Sequence, residues 1–158
     1  MFFSFHNGYY EKISLLLYYS QYFKEFGIPY NDVAVICLSE PLNFNSNVQP
    51  ISLSSDREYV TGLRAVVSGW GRINPDNYEQ SLNQLQEATV TILSSDYQNV
   101  VAQPSSSTVL HGDSGGPLTI KQNGTDILIG LVSWGFPQDP QNTPSYYVNV
   151  GTFKDWIS

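Results

Sequence analysis

The run His111-Gly112-Asp113-Ser114-Gly115-Gly116-Pro117-Leu118 sets a hydroxyl and a carboxylate among three glycines, ahead of a proline. Glycines on both sides of Ser114 permit a tight turn and a close backbone approach, so the hydroxyl can stand exposed with neighbouring N–H groups aimed the same way. This is a nucleophile's setting, although short Gly/Ser/Asp runs also make plain turns. Acyl transfer by serine further requires a base, a carboxylate to orient that base, and N–H donors for the oxyanion. Asp32, in Asn31-Asp32-Val33-Ala34-Val35-Ile36, is a carboxylate directly before an apolar run, where it could orient a base or simply cap a turn. The histidines are His6 and His111.

Gly112 to Gly116 fits the G-x-S-x-G elbow of the α/β-hydrolases, but that turn must lead into a helix. Gly115-Gly116-Pro117 followed by Leu118-Thr119-Ile120 stops a helix and starts a strand. Gly112 to Pro117 matches without change the Gly-Asp-Ser-Gly-Gly-Pro nucleophile motif of another family, and the chain resembles the trypsin and chymotrypsin-like serine proteases. The resemblance implies Ser114 as nucleophile, the N–H groups of Gly112 and Ser114 as oxyanion hole, and Asp32 as orienting carboxylate. It implies that Ser133-Trp134-Gly135 binds the substrate backbone, with Ser133 helping to orient Asp32. Thr108 and His111 fall at positions of the specificity pocket. Trypsin-type enzymes carry Asp at the Thr108 position, so a preference for Arg or Lys is not supported.

The chain also departs from the family. The catalytic histidine belongs to a Thr-Ala-Ala-His-Cys segment that does not occur here. His6, in Ser4-Phe5-His6-Asn7-Gly8, reads as a surface imidazole; the tight turn is expected to hold His111 away from the Ser114 hydroxyl, its use as base being the lesser reading. Loss of such a base costs roughly six orders of magnitude in turnover, so the chain is expected to be nearly inert. In active members the residue matching Asp113 pairs with an N-terminal amine released by cleavage. Without that Ile-Val-Gly-Gly type start, Asp113 must reach solvent or find another donor, and a collapsed, zymogen-like oxyanion hole is one outcome. The stretch from Ile92-Leu93 to Ser114 is shorter than usual and is expected to lack a strand and part of one pocket wall. Ala65 and Ile120 match one disulfide pair of the family, and Leu110 one end of another whose partner lies near Pro137 or Gln138. Apolar contacts there would replace bridges worth roughly 2 to 4 kcal/mol each.

These groups must be positioned by strands. Val33 to Leu38, Pro50 to Leu53, Leu63 to Val67, Leu85 to Ile92, Thr119 to Lys121 and Asp126 to Leu131 read as short β-segments between Gly, Pro and Asn turns. Asn123-Gly124 predicts a type I′ hairpin, and Asn123-Gly124-Thr125 is also a glycosylation sequon. Residues 1–30 read weakly as strand, 103–107 as an exposed loop, and 152–157 as a helix capped by Thr152. The pattern is all-β, barrel or sandwich; the resemblance makes it a trypsin-like double antiparallel β-barrel with an incomplete first barrel and a short C-terminal helix. On that reading residues 1–57 are a remnant of the first barrel, with strand edges exposed to pairing, and 58–158 form the second.

A chain of 158 residues suits one domain or two small ones, and a charge of −7 argues against nucleic acid or an anionic membrane as partner. Cys37, the single cysteine, excludes an intrachain disulfide and reads as a structural thiol. The start lacks the pattern of a signal peptide, and Ile13 to Tyr19 is too short to span a bilayer. The resemblance implies secretion, a protein or peptide substrate or ligand, and no metal or cofactor. Function is then a serine endopeptidase domain by family, or a complete non-catalytic homologue acting as a binding or decoy module.

Overall fold

The computed structural model describes residues 2–5, 9–74, 84–105, 109–136, 139 and 142–158. In the N-terminal part β1 (Phe2–Phe5), β2 (Tyr9–Tyr18), β3 (Phe23–Glu25), β4 (Ile28–Tyr30) and β5 (Ala34–Leu38) precede β6 (Ser52–Leu53). An antiparallel three-stranded sheet runs in the order β1-β2-β5, with Leu16 opposite Ile36 and Leu17 opposite Val35, while β3 and β4 form a separate hairpin. This sheet does not close. Leu15, Leu17, Tyr18 and Ile36 remain exposed on it.

The larger part closes. Strands β7 (Arg64–Gly69), β8 (Gln86–Ser95), β9 (Asn99–Pro104), β10 (Pro117–Gln122), β11 (Thr125–Trp134) and β12 (Ser145–Asn149) run in the order β10-β7-β8-β9-β12-β11. A β10–β11 pairing completes the antiparallel six-stranded barrel, and β6 adds in parallel beside β11. Alternate residues along a strand face the same side, so Ala65 and Val67, Val90 and Ile92, and Val100 and Ala102 all enter the core with Leu118, Ile129 and Tyr147. Ile120 packs against this cluster, which also contains Ala65. The expected β10–β11 turn is present, with Asn123 at φ 52° and Gly124 at φ 80°, both left-handed as type I′ requires.

Three expectations fail. No barrel strand is missing, because Asp96 Oδ1 accepts from the N–H groups of Gln98 and Asn99, both at 2.7 Å, and this turn folds β9 straight back onto β8. Gln103 and Pro104 accordingly end β9 instead of lying in a loop, while Ser106 and Ser107 fall outside the described residues. Helix α1 (Val150–Ile157) starts before Thr152, with Asn149 at its N-cap. Neither side chain caps it: Asn149 Nδ2 donates to the Arg57 and Asp96 carbonyls at 2.8 and 2.7 Å, and Thr152 Oγ1 to the Tyr97 carbonyl at 2.6 Å. The apolar face of α1 carries Phe153, which clusters with Val33 and Val148. Tyr19 meets Phe153 and Trp156 edge-on at 5.1 and 5.3 Å. Residues on both sides of Asp32 are thereby tied to the barrel.

Candidate active site

The nucleophile loop enters β10 through conformations that only glycine adopts freely, Gly112 at φ 102° and Gly115 at φ 81°. Gly115 N–H donates to the Val132 carbonyl at 2.8 Å and Val132 N–H returns a bond to Gly116 at 2.9 Å, which fastens the loop to β11. A side chain at Gly116 would stand 2.8 Å from both the Asp113 and Ser68 carbonyls, so this position has no room for one. Ser114 is left exposed.

Asp113 finds donors within the barrel. Its Oδ1 accepts from Gly71 N–H at 2.8 Å and its Oδ2 from Leu110 N–H at 2.9 Å. Cβ atoms at Gly69 or Gly71 would overlap this carboxylate, which accounts for two glycines in Ser68-Gly69-Trp70-Gly71. The His111 carbonyl accepts from Arg72 N–H at 3.0 Å. Because C=O and N–H of a trans peptide point opposite ways, the Gly112 N–H on that same peptide is aimed away from Arg72. The Gly112 and Ser114 N–H groups donate to no described residue.

Asp32 is half-buried, between Asn31 in the left-handed region at φ 54° and buried Val33. Asn31 Nδ2 donates to the Gln21 carbonyl, its Oδ1 accepts from Gln98 Nε2 and its backbone N–H donates to Gln98 Oε1, and these bonds hold the bend. Asp32 does not cap the turn; its Oδ2 accepts from Ser133 Oγ at 2.7 Å, across 101 positions of sequence. Ser133 and Ser114 line one cleft of about 260 Å³, with Trp134, Gly135 and His111 at its sides. Trp134 lies flat on Tyr146, ring centroids 3.7 Å apart, and forms a cleft wall although the residue type alone suggests core. His111 is exposed, and no hydrogen bond joins it to Ser114 among the described residues. Thr108 and His6 lie outside the described residues.

The sequence reading missed Val109, Phe136, Thr143 and Ser145, which also line the cleft. Beneath them the Tyr147 ring is wholly buried, and its hydroxyl has no hydrogen-bond partner among the described residues. Burial above all, opposed by the neighbouring Ser145 hydroxyl and assisted by the Asp113 charge, pushes the Tyr147 phenol far above its ordinary value, so it stays protonated. Among the described residues no group of three or more His, Cys, Asp or Glu could hold a metal ion, and no helix is long and apolar enough to cross a membrane.

The Trypsin family model matches residues 7–157. Serine protease 41 of Homo sapiens is 32% identical, over 83% of this chain and 48% of its own length. Testisin of Homo sapiens is 31% identical over 91% and 54%, and trypsin beta of Drosophila erecta 35% over 80% and 53%. The chain spans about half the length of these curated relatives. With its Gly-Asp-Ser-Gly-Gly-Pro loop, closed barrel and family match over residues 7–157, the chain belongs to the trypsin family of serine proteases.

Proposed function

We propose that the chain forms the nucleophile and peptide-binding part of a trypsin-like serine endopeptidase, acting on protein or peptide substrates outside the cell. The observation that supports it most is the 2.7 Å bond from Ser133 to Asp32, because Ser133 also lines the cleft that holds Ser114. Ser114 would attack the scissile carbonyl, and the N–H groups of Gly112 and Ser114 would receive the oxyanion, each such donor being worth on the order of 3 kcal/mol of barrier. Asp32, steadied by Ser133, would orient an imidazole. Ser133, Trp134 and Gly135 would align the substrate backbone, with His111 and Thr108 beside its side chain. Residues 1–57 would be the remnant of a first barrel and 58–158 the second.

No histidine of the chain is assigned as base, so turnover by the chain alone is expected to be very low. A second reading, a binding module without chemistry, is favoured by the exposed His111, which bonds to neither Ser114 nor Asp32. A fluorophosphonate probe separates the two. The peptidase reading expects weak labelling of Ser114 that added imidazole strengthens and S114A abolishes. Peptide binding with no labelling under either condition would establish the second reading in its place.

A further inference from the structure

Asn123-Gly124-Thr125 is a sequon for N-linked glycosylation, and no other Asn-x-Ser/Thr triplet without an intervening proline occurs in the chain. The same stretch makes the β10–β11 turn, and a turn is reason enough for Asn-Gly. It does not account for the third residue. Thr125 opens β11 opposite Gln122, where the hairpin asks only for an extended backbone, and its hydroxyl bonds to no described residue.

The acceptor amide is also unengaged. Asn31 Nδ2 donates to the Gln21 carbonyl, Asn142 Nδ2 to Asp139, and Asn149 Nδ2 to the Arg57 and Asp96 carbonyls. The Asn123 side chain hydrogen-bonds to no described residue. Asn123, Gly124 and Thr125 are all exposed, and a Cβ built on Gly124 would have nothing within 4 Å, so the turn stands in open space. The position also tolerates bulk. Strand β10 runs from Pro117, next to the nucleophile loop, to Gln122 at the turn, roughly 20 Å of extended chain. None of the three sequon residues lines the Ser114 cleft, so a large group on Asn123 leaves that cleft open.

We infer that Asn123 is an N-glycosylation site that accepts an oligosaccharide from a lipid-pyrophosphate donor. In the transfer, Asn123 Nδ2 forms a bond to the anomeric carbon of the first sugar. The bond from that carbon to the pyrophosphate oxygen breaks, the lipid pyrophosphate leaves with the electron pair, and Nδ2 gives up one proton to the transferase. This rests on the extracellular placement in the proposed function, because such donors serve chains entering the secretory pathway. Transfer to the entering chain needs only these three adjacent residues, and the folded turn keeps the attached sugar in solvent.

The full chain is expressed in eukaryotic cells behind a supplied secretion leader. Leader-processed protein from both cells and medium is read by gel mobility and intact mass, so poor export does not hide the result. The wild type is expected to be heavier than its polypeptide and to return to polypeptide mass on treatment with peptide-N-glycosidase, with Asn123 converted to Asp. N123D preserves the turn chemistry, since Asp-Gly also favours type I′, and is expected to lose the mass shift. T125A is expected to lose it too, and T125S to retain it. A leader-processed wild-type chain at bare polypeptide mass overturns the inference, as does a glycosidase-sensitive shift that persists in N123D. Either result leaves the peptidase reading standing, because the fluorophosphonate experiment decides that reading separately.

Discussion

The barrel and the three-stranded sheet are built from the same kind of strand, short and rich in β-branched and aliphatic residues, yet they bury them to different degrees. In the barrel Ile92, Val100, Ala102, Leu118 and Ile129 are wholly buried, whereas Leu15 and Leu17 on β2 are 50% and 44% exposed. Closure makes the difference. A closed sheet encloses its inner face and has no free edge, while β1-β2-β5 leaves apolar residues of its β2–β5 ladder exposed on both faces, Leu15 and Leu17 on one and Tyr18 and Ile36 on the other. The candidate site crosses this division. Ser114, Ser133 and the free N–H groups belong to the barrel, and Asp32 comes from the segment that leads into the sheet. Asp32 is nevertheless fixed from the barrel side, by Ser133 and by the contacts of Val33 and Tyr19 with α1. The placement of Asp32 thus depends on the barrel although the residue lies outside it.

The largest test of this contrast is truncation on the two sides. I129A empties a fully buried core position and is expected to cost about 2 to 5 kcal/mol, against about 0.5 kcal/mol for L17A on the open face. Urea denaturation of the two variants measures both. Comparable losses would mean that the sheet face is as well packed as the barrel interior.

The next effect concerns the loop. G69A places a methyl group where the Asp113 carboxylate accepts the Gly71 N–H bond, and displacing a half-buried carboxylate from its donors is expected to cost about 1 to 3 kcal/mol. The same substitution releases the nucleophile loop, so labelling of Ser114 by fluorophosphonate is expected to fall with it. Unchanged melting and unchanged labelling would mean that Asp113 is not what sets the loop.

A pH test also singles out the barrel. The folded state holds the Tyr147 phenol above its ordinary 10.0, so it keeps a proton that the unfolded chain releases. Its stabilising effect is fully present below about pH 10 and is lost as pH climbs further, by up to about 1.4 kcal/mol per pH unit. Melting temperatures across alkaline pH are expected to fall more steeply in the wild type than in Y147F. Parallel curves would assign the alkaline loss to other groups.

Much of the barrel is legible in local sequence, because Asn123-Gly124 specifies its own turn and the Ser114 loop its glycine conformations. The misses have a common physical origin in distance along the chain. Strand β9 was hidden because Asp96 turns the chain through a side-chain bond that composition does not display. Thr152 reads as a cap in sequence, yet its hydroxyl donates to the Tyr97 carbonyl, 55 positions away. Ser145 has no local signature at all; its place in the cleft comes from register opposite Gly135. Asp32 stands out only in its family context, since Asn-Asp before a strand reads equally well as a turn.

The smallest effects arise within the barrel at the β10–β11 hairpin, and they separate backbone from charge. Lys121 Nζ lies 2.9 Å from Asp126 Oδ1 across that hairpin, but the side chains are 68% and 56% exposed, so solvent screens the pair. K121A is expected to cost no more than about 0.5 kcal/mol. Gly124 has nothing within 4 Å of where a Cβ would stand, so at φ 80° the penalty of G124A is conformational alone, about 1 kcal/mol. Measured side by side in urea, a larger loss for G124A shows that the turn sets the hairpin register and the ion pair only decorates it. The reverse order would make the pair the fastening that holds the two strands together at the end of the barrel.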